Sequence, residues 1–315
     1  MTPYLEIGGD YREVVPGVFL AELPLPFSLG LINVWFVRLE DGWMLVDTGM
    51  DTAPCFAALD RAREGLGLEW THVRILLLTH FHPDHAGLAH RILELSGAEL
   101  WMHAADEELL RWVAGADHGY PEWQRDTLTQ AGVPEATIDA IVSAMDFVQP
   151  SFRPLAAHVR PSGGESIRGA GGPVEVLATP GHSPGHVCLH LPAQRALISG
   201  DHVLEHISPN ISWQAGRDAL GEYLKSLDII AALDLDLILP SHGSPFHGHR
   251  EWVARTHSHH QERCAQIRSA LAVQNYTAAE LVSVLWTRPL SPFHYRFAVF
   301  EILSHLEYMK RRSLI

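Results

Sequence analysis

The sequence predicts an α/β protein built from two βαβ halves whose strand ends meet at one site. Paired apolar runs with polar C-terminal ends are the first observation. Residues 44–46 lead into Asp47 and residues 74–78 into Thr79-His80; residues 196–200 lead into Asp201 and residues 235–240 into Ser241-His242. Short continuous apolar runs of this kind read as buried strands. The second observation is a helix candidate in each Asp-to-His interval, near 52–66 and 218–232, so that strand, helix and strand recur twice. Two repeats are too few for a solenoid and point to a pseudo-symmetric sandwich.

A chain of 315 residues can form one large domain or two smaller ones. No apolar run approaches the roughly 20 residues that a spanning helix needs. Residues 1–18 carry charges, Pro and Gly without the apolar stretch of a signal peptide, so a cytoplasmic protein away from membranes is expected. Cys55, Cys188 and Cys264 are odd in number and far apart, which predicts buried free thiols and no disulfide framework. The formal net charge of −14 repels polyphosphates and weighs against nucleic acid as a partner. Oligomeric state leaves no mark on the sequence. With 21 histidines present, only spacing can decide which of them matter.

A helical insert is expected at about 105–147, punctuated by Pro121 and Pro134 with turns at Gly115, Gly119 and Gly132. Its Trp112, Tyr120, Trp123 and Phe147 either pack it onto the body or line a substrate pocket under a lid. Tyr120, Trp123 and Phe147 are the pocket candidates. Residues 161–173, rich in Gly, Ser and Pro, predict a loop or hairpin tip. Strands at 174–179 and 187–191 then flank Pro180-Gly-His-Ser-Pro-Gly-His186.

From about residue 251 the pattern is helical. A long polar helix is expected over 251–273, and Thr277-x-x-Glu280 reads as a capping box opening a second. A third, over 292–312, has Phe297, Phe300, Leu303 and Leu306 at helical spacing. The domains expected are 1–250 and a C-terminal helical extension, 251–315, either a three-helix appendage or a truncated winged helix.

The strongest chemical signal is Thr79-His80-Phe81-His82-Pro83-Asp84-His85, directly after a buried strand. Neutral imidazole suits zinc and other borderline metals, and carboxylate suits harder cations. In extended chain His80 and His82 share a side. Asp84 and His85 follow where the chain turns and can face a second ion. Further donors stand at other segment ends: His186 after the Pro180–Gly185 turn, Asp201 after one strand and His242 after another.

His80-x-His82-x-Asp84-His85 with His186, Asp201 and His242 resembles the metallo-β-lactamase superfamily over roughly residues 14–249. The resemblance implies an αββα sandwich with two metal ions at one edge. By position His80, His82 and His186 would hold the first ion, Asp84, His85 and His242 the second, and Asp201 would bridge them. Asp47 would orient a ligand, and His182 would have a supporting role. Hydrolysis by a metal-bound hydroxide follows, with Asp84 orienting it or moving its proton. Zinc is the default metal; iron or manganese also fits these donors. His90, His103, His118 and His202 read as structural. The run His257-Ser-His-His260 lies on a surface helix, where adventitious metal binding is the most expected of it.

Departures from neighbouring groups narrow the activity. Zinc β-lactamases usually lack the bridging Asp, flavodiiron proteins carry Glu where His82 stands, and sulfur dioxygenases use one iron without the full second set. What remains resembles glyoxalase II-type thioesterases and lactonases, acting on a small ester, thioester or lactone, although no glutathione-binding set of basic residues is recognisable. The alternative is a metal-dependent endoribonuclease or phosphodiesterase, for which Lys310-Arg311-Arg312 is the basic cluster. A non-enzymatic metal-binding module and redox chemistry at a single iron are the remaining readings.

Overall fold

A computed structural model describes residues 11–26, 30–115, 119–146, 148–206 and 208–315. The first half holds β1 (Tyr11–Val15), β2 (Val18–Pro24), β3 (Leu31–Leu39), β4 (Gly42–Val46), α1 (Ala53–Gly65), β5 (Val73–Leu77), α2 (Pro83–Ala86), α3 (Ala89–Ser96) and β6 (Glu99–Trp101). The insert follows as α4 (Ala104–Ala114), α5 (Tyr120–Gln130) and α6 (Glu135–Met145). The second half holds β7 (Ser166–Gly169), β8 (Gly172–Ala178), β9 (Val187–Leu191), β10 (Ala196–Gly200), α7 (Ala219–Ala232) and β11 (Leu237–Pro240). The chain ends in α8 (His249–Leu271), α9 (Ala278–Leu285) and α10 (Pro292–Arg311).

The strands pair in the order β11-β10-β9-β8-β7-β3-β4-β5-β6, with β2 on β3 and β1 on β2. β3 and β7 meet through one pair, Leu39 and Gly169. That narrow seam lets the two sections fold face to face. The parallel pairs β4–β5 and β10–β11 are bridged by α1 and α7, giving the two βαβ units that the sequence predicts.

Strand periodicity builds the layers. Along β3, Ile32, Val34 and Phe36 face a core shared with Leu59 of α1 and Ile92 of α3. Trp35, Val37 and Leu39 face the opposite way, onto Val176, Leu189, Ile198 and Leu239 of the second sheet. On that sheet's outer face Cys188, Leu197 and Ile238 pack against Leu220, Tyr223 and Leu227 of α7 and Trp252 of α8. The order is helix, sheet, sheet, helix, the αββα sandwich. Cys55 and Cys188 serve as core hydrophobes, and burial pushes both thiols up to about 12.

A fourth core has no counterpart in the sequence pattern. Leu128 of α5 and Ile138 and Ile141 of α6 pack with Ile267 of α8, Leu281 of α9 and Val299, Phe300 and Ile302 of α10. Insert and C-terminal helices are thus one helical layer. No strand occurs among residues 249–315, where the three-helix form is found, and the Thr277–Glu280 capping box forms as expected. Residues 161–173 take the hairpin form of the two expected, extended by a strand: they contain β7, paired antiparallel with β8, in which only Ile167 and Gly169 are buried. Among the described residues no helix is long and apolar enough to cross a membrane.

Candidate metal centre

The loops after β4, β5, β8, β10 and β11 converge at one edge of the sandwich. Asp47 follows β4 with a left-handed backbone, φ 61°, which Asp tolerates better than most residues. Its carboxylate accepts from the Thr79 backbone N–H at 2.8 Å, the Thr79 hydroxyl at 2.9 Å and His85 Nδ1–H at 2.8 Å. The 79–85 segment is held further by Thr48, which donates through its backbone N–H and its hydroxyl to the His85 carbonyl at 2.8 and 2.7 Å. β11 is tied to the other half by Asn33, whose Nδ2 donates to the Pro240 and Gly243 carbonyls at 2.9 and 2.7 Å.

His80, His85, His182 and His242 each use one ring nitrogen as an anchor and turn the other toward the site. His242 Nδ1–H donates to the Leu31 carbonyl at 3.0 Å, His182 Nδ1–H to the Asn210 carbonyl at 2.8 Å, and His80 Nδ1–H to the Thr79 hydroxyl at 3.0 Å. That leaves each Nε2 with a free lone pair. His80 Nε2 and His182 Nε2 stand 2.9 and 3.0 Å from His82 Nδ1, and His182 Nε2 is 3.5 Å from Asp201 Oδ2. In the other group His85 Nε2 and His242 Nε2 stand 3.4 and 3.5 Å from Asp201 Oδ1, and His242 Nε2 is 3.3 Å from Asp84 Oδ2. Donors bound at 2.0–2.1 Å around a tetrahedral ion lie roughly 3.3 Å apart. His85 Nε2 and His242 Nε2 are moreover buried with no hydrogen-bond partner, as is His186 Nε2 nearby; together with the spacing of the donors this fits cations.

The electrostatics differ between the groups. Burial first, then the charges of the neighbouring rings, drives His80 well below the ordinary imidazole value, and burial and His182 bring His82 to about 3. These rings are neutral ligands in waiting. Burial would also lower His85, but Asp47, Asp201 and Asp84 outweigh it and hold its ring protonated well above the usual range. Burial works against the Asp84 carboxylate, yet His85 and His242 keep it down at about 2. The concentration of carboxylates that retains this proton would equally attract a metal ion.

The structure therefore brings together six of the seven ligands predicted from sequence: His80, His82, Asp84, His85, Asp201 and His242. The seventh is placed differently. His182 falls in the first group and His186 in neither. His182 lies in the tight turn closed by Gly181 N–H to the Ser183 carbonyl, and it lines the cavity above the site. His186 immediately precedes β9, fully buried, with Nδ1 on the Thr179 hydroxyl at 2.8 Å. It sits so close to Gly200 that a Cβ there would meet its Nε2 at 2.7 Å. Gly181, φ 143°, is needed for close packing too, since a Cβ would run into the Tyr223 backbone at 2.4 Å.

Sequence reasoning missed Asp106. Wholly buried, it accepts from Phe81 N–H, the Ser183 hydroxyl and Gly185 N–H at 3.1, 2.6 and 2.5 Å, clamping the 80–85 loop to the 180–186 loop. It also missed Ser241, whose hydroxyl donates to Asp201 Oδ1. Elsewhere His103 caps α4, His90 pairs with Glu94 at 3.4 Å, and His202 is buried. His257 pairs with Asp228 at 3.0 Å, and His260 contacts His305 at 3.1 Å. His118 lies outside the described residues.

Above the site is a cavity of about 700 Å³. His82, Asp84, His182, Asp201 and His242 border it, and α4, α5, α6 and α10 supply much of its walls. Of the predicted pocket residues Tyr120 and Trp123 line it, so the insert aromatics both pack and face the cavity; Phe147 lies outside the described residues. Trp213, Phe297 and Phe300 complete an aromatic lining that only tertiary packing reveals.

An αββα sandwich with imidazole and carboxylate groups at its strand ends defines a class, the metal-dependent hydrolases. The family model of the metallo-beta-lactamase superfamily matches residues 28–242, and the chain belongs to that superfamily. It is similar to the probable metallo-hydrolase YqjP of Bacillus subtilis, 26% identical over 95% of this chain and 93% of that one. A metallo-beta-lactamase family protein of Thermus thermophilus superposes with a TM-score of 0.82 at 30% identity, covering 96% of this chain and 95% of the other. An Aspergillus fumigatus relative, atrochrysone carboxyl ACP thioesterase, is 25% identical over 69% of this chain and 39% of its own.

Replacing Asp47 tests how the second group is held. Asp47→Asn is expected to weaken metal affinity there about 10- to 100-fold, because the amide oxygen stays with the Thr79 N–H and its NH2 group, a donor, then faces His85 Nδ1. Chelator competition measures this, and unchanged affinity would contradict the role.

Proposed function

We propose that the chain is a dinuclear metal-dependent hydrolase of a small ester, thioester or lactone. The observation that carries this is Asp201, which turns Oδ2 to one donor group and Oδ1 to the other at the foot of an apolar cavity. His80, His82 and His182 would hold one ion and Asp84, His85 and His242 the other, with Asp201 shared. Zinc suits the imidazole-rich set, and iron or manganese would also be accepted. When bound, such a pair supplies water of lowered pKa and polarises a substrate carbonyl.

The protein's own groups do the rest. Ser241 fixes the orientation of Asp201. Asp84 borders the cavity and is the carboxylate that orients the attacking water and carries its proton at a carboxylate oxygen. The aromatic walls exclude solvent from the acyl body of the substrate. In this reading residues 1–250 carry the ligands and the 251–315 extension completes the cavity wall through α10.

The cavity favours an acyl substrate over RNA, the alternative reading. Two of the three cations in the basic cluster meant to serve RNA are already engaged: Arg311 pairs with Glu307 at 2.7 Å and Arg312 with Asp218 at 2.8 Å. A panel of aryl thioesters and lactones, assayed beside an RNA and a model phosphodiester, separates the two. Acyl hydrolysis lost to a chelator, restored by added metal and weakly dependent on salt is expected. Phosphodiester cleavage alone, falling steeply with salt, would contradict the proposal.

A further inference from the structure

Arg296 of α10 is 7% exposed yet borders the cavity. Its Nε donates to Gln124 Oε1 at 2.8 Å and its Nη2 to the Tyr120 hydroxyl at 3.1 Å, both acceptors belonging to α5. Its guanidinium carbon lies 4.6 Å from the centre of the Phe300 ring. A guanidinium has five N–H donors, and these two bonds leave three of them over. Both acceptors are neutral. Among the described residues no carboxylate forms an ion pair with Arg296; Glu301 on the same wall is engaged by Arg263 at 3.9 Å.

A cation this deeply buried without a counter-charge is costly to the free protein, and an arriving anion relieves that cost. Clipping α10 to α5 would need only a neutral donor. The planar fork, fixed on one side by Gln124 and Tyr120 and by the Phe300 face, presents its remaining N–H groups in the geometry that matches a carboxylate. With the Glu301 carboxylate already paired to Arg263, the one guanidinium left over balances one negative charge, which selects a carboxylate over a phosphate dianion.

We propose that Arg296 anchors a carboxylate on the substrate, so that the enzyme takes an ester or thioester whose apolar body bears one carboxylate apart from the bond that is cleaved. This rests on the hydrolytic reading of the metal site, and it names the class of substrate for it.

The test uses the full chain as purified and two isosteric ligand pairs. One pair is the thioesters of 3-(4-carboxyphenyl)propionate and 3-(4-carbamoylphenyl)propionate; the other is their thioether analogues, which cannot be hydrolysed. By calorimetry the carboxylate thioether is expected to bind about 10- to 100-fold more tightly than the carboxamide, and the thioesters should differ mainly in KM. Arg296→Gln should erase the difference, and Arg296→Lys should recover part of it. Equal binding of the two thioethers to the unmodified protein would overturn the proposal whether or not the Gln variant folds. So would a preference that survives in Arg296→Gln, which would place the carboxylate on the metals instead. Selective binding without turnover of either thioester would overturn the hydrolytic reading alone; turnover of both with no selectivity would overturn the anchor alone.

Discussion

Asp201→Ala is expected to lower hydrolysis by on the order of a thousandfold or more, the largest effect of any single replacement. Its two oxygens face different donor groups, Oδ2 toward His182 and Oδ1 toward His85 and His242. Removing the carboxylate therefore weakens both groups at once. It also removes one of the three carboxylates, Asp47, Asp201 and Asp84, whose charges act on His85. Elemental analysis should show metal content falling from about two ions per chain, in parallel with activity. Loss of activity at full metal content would leave Asp201 a role in orienting substrate and contradict the shared-ligand reading.

The second large effect separates two histidines that lie in the same short segment. His182→Ala is expected to cost most of the activity and to lower metal affinity, because its Nε2 stands among the donors of the first group. His186→Ala should leave metal content largely intact. It removes a fully buried ring bonded to Thr179 and should therefore destabilise the fold, by about 2–4 kcal/mol. Thermal unfolding and metal analysis of both variants, side by side, decide the matter. Metal loss confined to His186→Ala would reverse the assignment.

That pair also shows where sequence reading stops. The 80–85 motif is legible because its donors are adjacent and a buried strand fixes their direction. Asp201 and His242 are legible because each ends an apolar run, and both β10 and β11 form as those runs predict. Within Pro180-Gly-His-Ser-Pro-Gly-His186 both histidines satisfy the pattern. The strand after His186 is legible as well, but only the fold shows that the His186 ring lies beneath Gly200 while His182 reaches the donors of the first group.

Asp106 is invisible for a related reason, since its partners Phe81, Ser183 and Gly185 are distant in sequence. Strand β7 has too short an alternation to register. The cavity is legible only in part: Tyr120 and Trp123 stand out in the insert, whereas Arg296 looks like one more polar residue on a C-terminal helix. Its place beside Gln124 comes from the shared helical core, a long-range association that no local pattern encodes.

The most direct test of the central claim is anomalous diffraction from crystals of the purified protein. Two peaks about 3.5–4 Å apart are predicted, one on either side of Asp201, with His182 among the ligands of the first. A single peak, or a pair in which Asp201 contacts only one ion, would contradict the dinuclear account.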